Sequence, residues 1–126
     1  MAGYRELAVW QRAIDLTIEV YAVTKKYPQA ERFGLVSQTQ RSAVSVPANI
    51  AEGRGRGTTR EFHRFVGIAS GSLAELETHL LIATRLTYIT ETDSNRLLRD
   101  AAQVARMLGG LKSSLKRKLE DSDRKP

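Results

Sequence analysis

The sequence predicts an all-α fold: an antiparallel up-down-up-down four-helix bundle that assembles into an oligomer. Three observations carry this expectation. Apolar side chains recur at the helical period in four long segments. Three prolines and an aromatic content of only 6%, with few turn clusters, favour helices over strands. The connections "YPQAERFG", "GRGRGT" and "TYITETD" are short, which makes consecutive helices antiparallel neighbours. A chain of 126 residues has room for one domain with a modest core. That domain is placed at residues 1–119. Residues 120–126, "EDSDRKP", mix both charge signs without an apolar anchor and are expected to fray or be disordered.

The first helix is expected from about Leu7 to Lys26, ending before Tyr27-Pro28 because proline restricts its predecessor. Leu7, Trp10, Ile14, Ile18 and Tyr21 form one apolar stripe; Val9, Leu16, Val20 and Val23 form a second on nearly the opposite side. A helix packed only inside a monomer needs one stripe. The second set is therefore assigned to contact with another subunit; the alternative is a central helix wrapped on both sides by its own chain. The second helix spans about Leu35 to Glu52, with Leu35, Val36, Ala43, Val46 and Ile50 on one face. Pro47 inside it removes a backbone donor, so the segment either kinks there or splits into two shorter helices.

The third helix, about Thr59 to Leu86, carries a core stripe of Phe62, Phe65, Ala69, Leu73, Leu76, Leu80 and Ala83. On its reverse side Gly67, Gly71, Ala74 and Thr78 leave a smooth surface. Glycine inside a helix costs roughly 1 kcal/mol against alanine, so Gly67 and Gly71 imply close approach, most simply by another helix. The fourth helix, about Ser94 to Lys118, aligns Leu97, Ala101, Val104, Leu108, Leu111, Leu115 and Leu119. Arg96, Arg99, Gln103, Arg106 and Arg117 take its other face.

Composition removes several function classes. The absence of cysteine excludes disulfides, thiolate zinc sites and cysteine nucleophiles. No apolar run is long enough to cross a bilayer, and "MAGYRELAVW" lacks the apolar core of a secretory signal. A cytoplasmic soluble protein is expected. A net charge of +6 and a pI near 10.0 make polyanions candidate partners.

The segment "NIAEGRGRGTTREFHRF", Asn49 to Phe65, concentrates glycine and arginine and invites comparison with a phosphate loop. A P-loop needs a preceding strand and a Gly-Lys-Ser/Thr ending; here a helix precedes and no lysine follows. The glycines read instead as a corner. Gly53 is expected to end helix two in the left-handed conformation, Gly55 and Gly57 to permit the turn, and Thr58 to cap helix three with Glu61 completing a capping box. Arg54, Arg56, Arg60 and Arg64 are left without a local role, since arginine near a helix N-terminus opposes the macrodipole. They are candidates for binding an anion, unless Glu52, Glu61 or solvent neutralises them. Asn49 and Glu52 are read as structural polar residues, Asn49 as a partly buried tie with Ser42 and Ser45 leaving it space. His63 and His79 project from different faces, and Glu75 with His79 lacks the paired Glu-x-x-His spacing of bundle metal sites. No catalytic residue, metal site or cofactor is expected.

"LAVWQRAIDL", "YPQAERFGLVSQTQRSAVSVPANIAEGRGR", "EFHRFVGIASGSLAELETHL" and "MLGGLKSSL" occur in that order. With them the chain resembles the four-helix-bundle family encoded by intervening sequences in bacterial 23S ribosomal RNA genes, most strongly over Leu7 to Ile89. The resemblance implies a left-handed antiparallel bundle, a ring-shaped homopentamer and no known enzymatic activity. A related branch, the accessory variability proteins of diversity-generating retroelements, acts with a reverse transcriptase and turns basic surfaces toward nucleic acid. By motif the resemblance points to Arg41, Arg54, Arg56, Arg60 and Arg64 as nucleic-acid contacts. The family's usual second basic residue before Arg41 is here Gln40.

Three readings follow. The leading one is a non-catalytic homo-oligomer that contacts RNA or DNA by sequence-independent phosphate neutralisation at the corner between helices two and three. The second is a scaffold that binds protein partners through its apolar and small-residue faces. The third, a metal- or nucleotide-dependent enzyme, has little in the sequence to support it.

Overall fold

The computed structural model describes residues 3–124. Four helices account for most of them: α1 (Ala8–Thr24), α2 (Leu35–Gly55), α3 (Thr59–Arg85) and α4 (Glu91–Arg124), with single 3-10 turns at Tyr4–Glu6 and Gln29–Glu31. No strand occurs among the described residues. Each helix packs on its neighbours in chain order and α1 also packs on α4, so the helices form a closed four-membered bundle. Partners on adjacent helices run in opposite residue order. Arg12 meets Gln103 and Glu19 meets Arg96 across α1 and α4, and Lys26, just past the end of α1, meets Asp93. Ser42 meets His79 and Ser45 meets Ser72 across α2 and α3.

The core takes the stripes that periodicity picks out on α2, α3 and α4. Ala43, Val46 and Ile50 of α2, all seven stripe residues of α3, and Leu97, Ala101, Val104, Leu108 and Leu115 of α4 are buried. On α1 the assignment reverses. Val9, Leu16, Val20 and Val23, expected at a subunit interface, are buried inside the single chain. Of the other stripe, Leu7 and Trp10 pack against the core's edge, whereas Ile18 and Tyr21 face outward, 65% and 39% exposed. Two apolar stripes of similar strength on one helix carry no sign of which faces inward. Packing against α2 and α4 decides it.

Pro47 lies in the middle of an unbroken α2. It cannot donate to the Ala43 carbonyl one turn earlier. The Thr17 hydroxyl of α1 approaches that carbonyl at 3.2 Å while also bonding the Ala13 carbonyl at 2.8 Å. The neighbouring helix thus offers the Ala43 carbonyl a share of one hydroxyl proton in place of the amide that proline lacks.

The corner between α2 and α3 differs from its expected form. α2 runs on through Gly55, expected in the turn, and the Glu61 carboxylate turns to Arg56 and Arg64 instead of completing a capping box. Gly53 stays helical and buried; the left-handed residue is Gly57, at φ 85°. A methyl group at Gly53 would stand 2.6 Å from the Phe65 Cβ, so glycine there lets α2 approach α3 closely. Thr58 caps α3 as expected, its hydroxyl accepting from the Glu61 amide at 3.2 Å.

α4 begins three residues early, because Thr90 caps it by accepting from the Asp93 amide at 3.1 Å. It also continues past residue 119. Residues 120–124, expected to fray or be disordered, extend α4 as exposed helical turns. Leu119 is the last half-buried apolar side chain of α4, and Asp123 beyond it approaches Arg60 at 4.0 Å. Residues 125 and 126 lie outside the described residues.

Candidate anion-binding corner

The last turn of α2 and the first two turns of α3 bring Arg54, Arg56, Arg60 and Arg64 to one end of the bundle. Their charges are not left bare. Arg56 Nε lies 3.1 Å from Glu52 Oε2, and another of its nitrogens lies 3.5 Å from Glu61 Oε1. Arg64 Nε donates to Glu61 Oε2 at 2.8 Å. The hydrogen bond from Arg64, together with the charges of Arg64 and Arg56, outweighs desolvation and holds the Glu61 carboxyl below its ordinary range. Glu61 therefore spends its carboxylate on arginines while Thr58 caps the helix.

The guanidinium groups also rest on aromatic rings. Arg56 and Arg64 lie 5.1 Å and 4.5 Å from the centre of Phe65, and Arg54 lies 5.7 Å from that of Phe62. Cation–π contact of this kind positions a guanidinium without consuming its hydrogen-bond donors. Arg54 borders a groove of about 380 Å³ shared with Leu7, Thr58, Phe62, Ser114 and Lys118.

Arg41 stands apart from the other four. At 1.5 Å per residue it lies about 20 Å along α2 from Arg54. It borders a different groove, of about 510 Å³, with Ser45, Ser72, Glu75 and His79. Gln40, beside it, turns inward and donates to the Thr24 hydroxyl at 3.1 Å. An uncharged amide at this position thus joins α2 to α1.

Asn49 donates to the Ser45 carbonyl at 2.8 Å and lies 2.9 Å from the Ser45 hydroxyl, which meets the Ser72 hydroxyl at 2.8 Å. This chain of polar contacts joins α2 to α3. Ser72 is the member that sequence reasoning missed; its position among small residues on α3 gave little sign of it. Glu52 braces the corner through Arg56. Gly67 lies under the Lys112 side chain of α4, whose Nζ would stand 3.4 Å from an added methyl group, while Gly71 faces open space. His79 meets Ser42 at 3.2 Å through Nδ1. Among the described residues no group of three or more His, Cys, Asp or Glu side chains could hold a metal ion. No described helix is long and apolar enough to cross a membrane.

Fold and surface together define a basic four-helix bundle, with clustered arginines at one end and polar ties between its helices. Residues 5–110 match the family described as 23S rRNA-intervening sequence protein, and the chain belongs to that family. It is similar in fold to a protein of unknown function from the S23 ribosomal protein family of Bacteroides thetaiotaomicron. The TM-score is 0.77 at 22% identity, covering 83% of this chain and 98% of that one. Among curated proteins none matches.

Proposed function

We propose that the chain is a non-enzymatic, antiparallel up-down-up-down bundle that self-associates in the cytoplasm and contacts nucleic acid, RNA foremost, at its arginine-rich end. A pentameric ring is the assembly that the family resemblance suggests. The observation that carries this reading is the corner itself: four guanidinium groups within eleven residues, three of them resting on the rings of Phe62 and Phe65. The acidic partners Glu52, Glu61 and Asp123 are themselves surface groups. Exposed pairs of this kind are worth about 0–1 kcal/mol each, so a polyphosphate can displace them. The mechanism is neutralisation of phosphates without base readout.

The test is binding of labelled RNA measured across a salt series. Affinity should fall steeply as salt rises from low to physiological, and changing Arg54, Arg56, Arg60 and Arg64 together to Ala should weaken it at least tenfold. Salt-independent binding, or undiminished affinity in the fourfold variant, would overturn the reading.

A second reading, a scaffold for a protein partner such as a reverse transcriptase, is favoured by apolar exposure. Phe33 is 88% exposed, and Ile18, Leu81, Ile82 and Leu86 are also open to solvent. Co-purification with a protein partner and no nucleic acid near physiological salt would favour it.

A further inference from the structure

From the outer face of α4 we infer a second and more extended nucleic-acid surface, one that fits a duplex; the inference rests on the reading of a nucleic-acid partner. At 100° per residue Arg99, Arg106, Arg117 and Arg124 fall within about 20° of a single line. That line lies opposite the buried face made by Leu97, Val104, Leu108 and Leu115. All four arginines are exposed, and none makes a hydrogen bond or ion pair among the described residues. In this they differ from Arg56, Arg60 and Arg64 at the corner, each of which has a carboxylate within 4.0 Å. The four arginines of this line thus have no ion pair among the described residues to give up on binding.

The shape of the face names the partner. The stripe extends about 38 Å along α4, at 1.5 Å per residue. Gly110 and Ser113 occupy the middle of the line, and a methyl group at Gly109 or Gly110 would meet nothing within 4 Å. A rigid backbone can therefore lie along the face without obstruction. Glu120 and Asp121 flank the line near Arg117 and Arg124, and Asp100 stands beside Arg99. α4 contains no Phe, Tyr or Trp. Single-strand binding depends on aromatic platforms on which bases stack, and this face offers none. Guanidinium groups spaced along one helix edge suit the phosphates of a double strand, contacted without base recognition. Duplex DNA advances about 3.4 Å per base pair, so the stripe would span roughly 11 base pairs.

The experiment uses the full chain and three fluorescent probes of nearly equal charge: a 20-base-pair RNA duplex, a 20-base-pair DNA duplex and a 40-nucleotide single-stranded RNA. Arg99, Arg106, Arg117 and Arg124 are changed together to Gln. All four are exposed, so circular dichroism and thermal melting should match the unmodified chain. Duplex affinity should fall at least thirtyfold at about 0.1 M salt. The slope of log affinity against log salt should flatten by about 3 to 4, as loss of four phosphate contacts requires. Whichever duplex binds more tightly identifies the source, and an 8-base-pair duplex should bind more weakly than one of 20. Preference for the single strand, duplex binding unchanged in the variant, or a change in oligomer size without a change in affinity would each overturn the inference. If the corner variant loses binding and the α4 variant does not, the inference alone falls. If the unmodified chain binds none of the probes, the nucleic-acid reading falls with it.

Discussion

Pro47 and Thr17 illustrate how a residue that should break a helix is accommodated inside one. The Ala43 carbonyl loses its usual amide donor, and a buried acceptor without a partner costs about 1–3 kcal/mol. Thr17 is buried on α1 and shares its hydroxyl between Ala13 and Ala43. Thr17→Val keeps the shape and removes the donor, so it should lower stability by about 1–2 kcal/mol in urea denaturation. In a Pro47→Ala background the backbone amide restored at that position can serve the Ala43 carbonyl, and the same change should cost at least about 0.5 kcal/mol less. Equal costs in the two backgrounds would show that the contact contributes nothing. Tyr27 presents the opposite case. It is buried against Tyr88, its hydroxyl has no partner among the described residues, and burial pushes its pKa up to about 12. At this scale the sequence is legible for conformation and weak for partners. The presence of Pro47 forecasts a missing donor; nothing local in the sequence nominates Thr17, thirty positions away.

Helix ends show the same division. The Thr58 cap can be read from its spacing to Glu61, and "TYITETD" holds an equivalent signal in Thr90 and Asp93 that places the start of α4 before Ser94. The end of α3 is less legible. Tyr88 donates to the Ala83 carbonyl at 2.9 Å and Thr87 to the Thr84 carbonyl at 3.1 Å, closing a Schellman motif. The residue in the left-handed position is Thr87, at φ 62°, where glycine is the usual occupant. A β-branched side chain is strained there, by roughly 1 kcal/mol. Thr87→Gly should therefore raise the melting temperature by a few degrees, corresponding to about 0.5–1 kcal/mol. An unchanged or lower melting temperature would mean that the Thr87 hydroxyl, 2.6 Å from the Leu86 carbonyl, offsets the strain. Core stripes on α2, α3 and α4 are legible because each helix has one strong apolar face. On α1 two stripes compete, and only the positions of α2 and α4 select Val9, Leu16, Val20 and Val23 for the interior. The candidate site divides similarly. Arginine clustering and its local pairing with Glu52 and Glu61 are visible in the sequence spacing, whereas the Arg56–Glu61 contact depends on the turn and the Arg60–Asp123 contact on a longer α4.

Across the whole molecule the selection made on α1 changes where self-association should be sought. With Leu16 buried in the core and Ile18 on the outside, the two positions separate folding from assembly, although they stand two residues apart on one helix. Leu16→Glu places a carboxylate among buried apolar groups; that costs several kcal/mol, or forces the carboxyl to stay protonated. It should unfold the chain or lower its melting temperature sharply. Ile18→Glu places the same group where the side chain is already 65% exposed, so helical content and melting of the isolated chain should hold within about 0.5 kcal/mol. If the outer stripe of Ile14, Ile18 and Tyr21 is the surface covered by another subunit, Ile18→Glu should shift the light-scattering mass toward that of the 14.0 kDa chain at micromolar concentration. An oligomer of unchanged mass would take α1 out of the interface and direct attention to the exposed Leu81 and Ile82 of α3. A monomeric unmodified chain would remove self-association altogether. In that case the charged end would have to contact its partner as a flat patch on one bundle, with none of the added avidity that a ring of such ends provides.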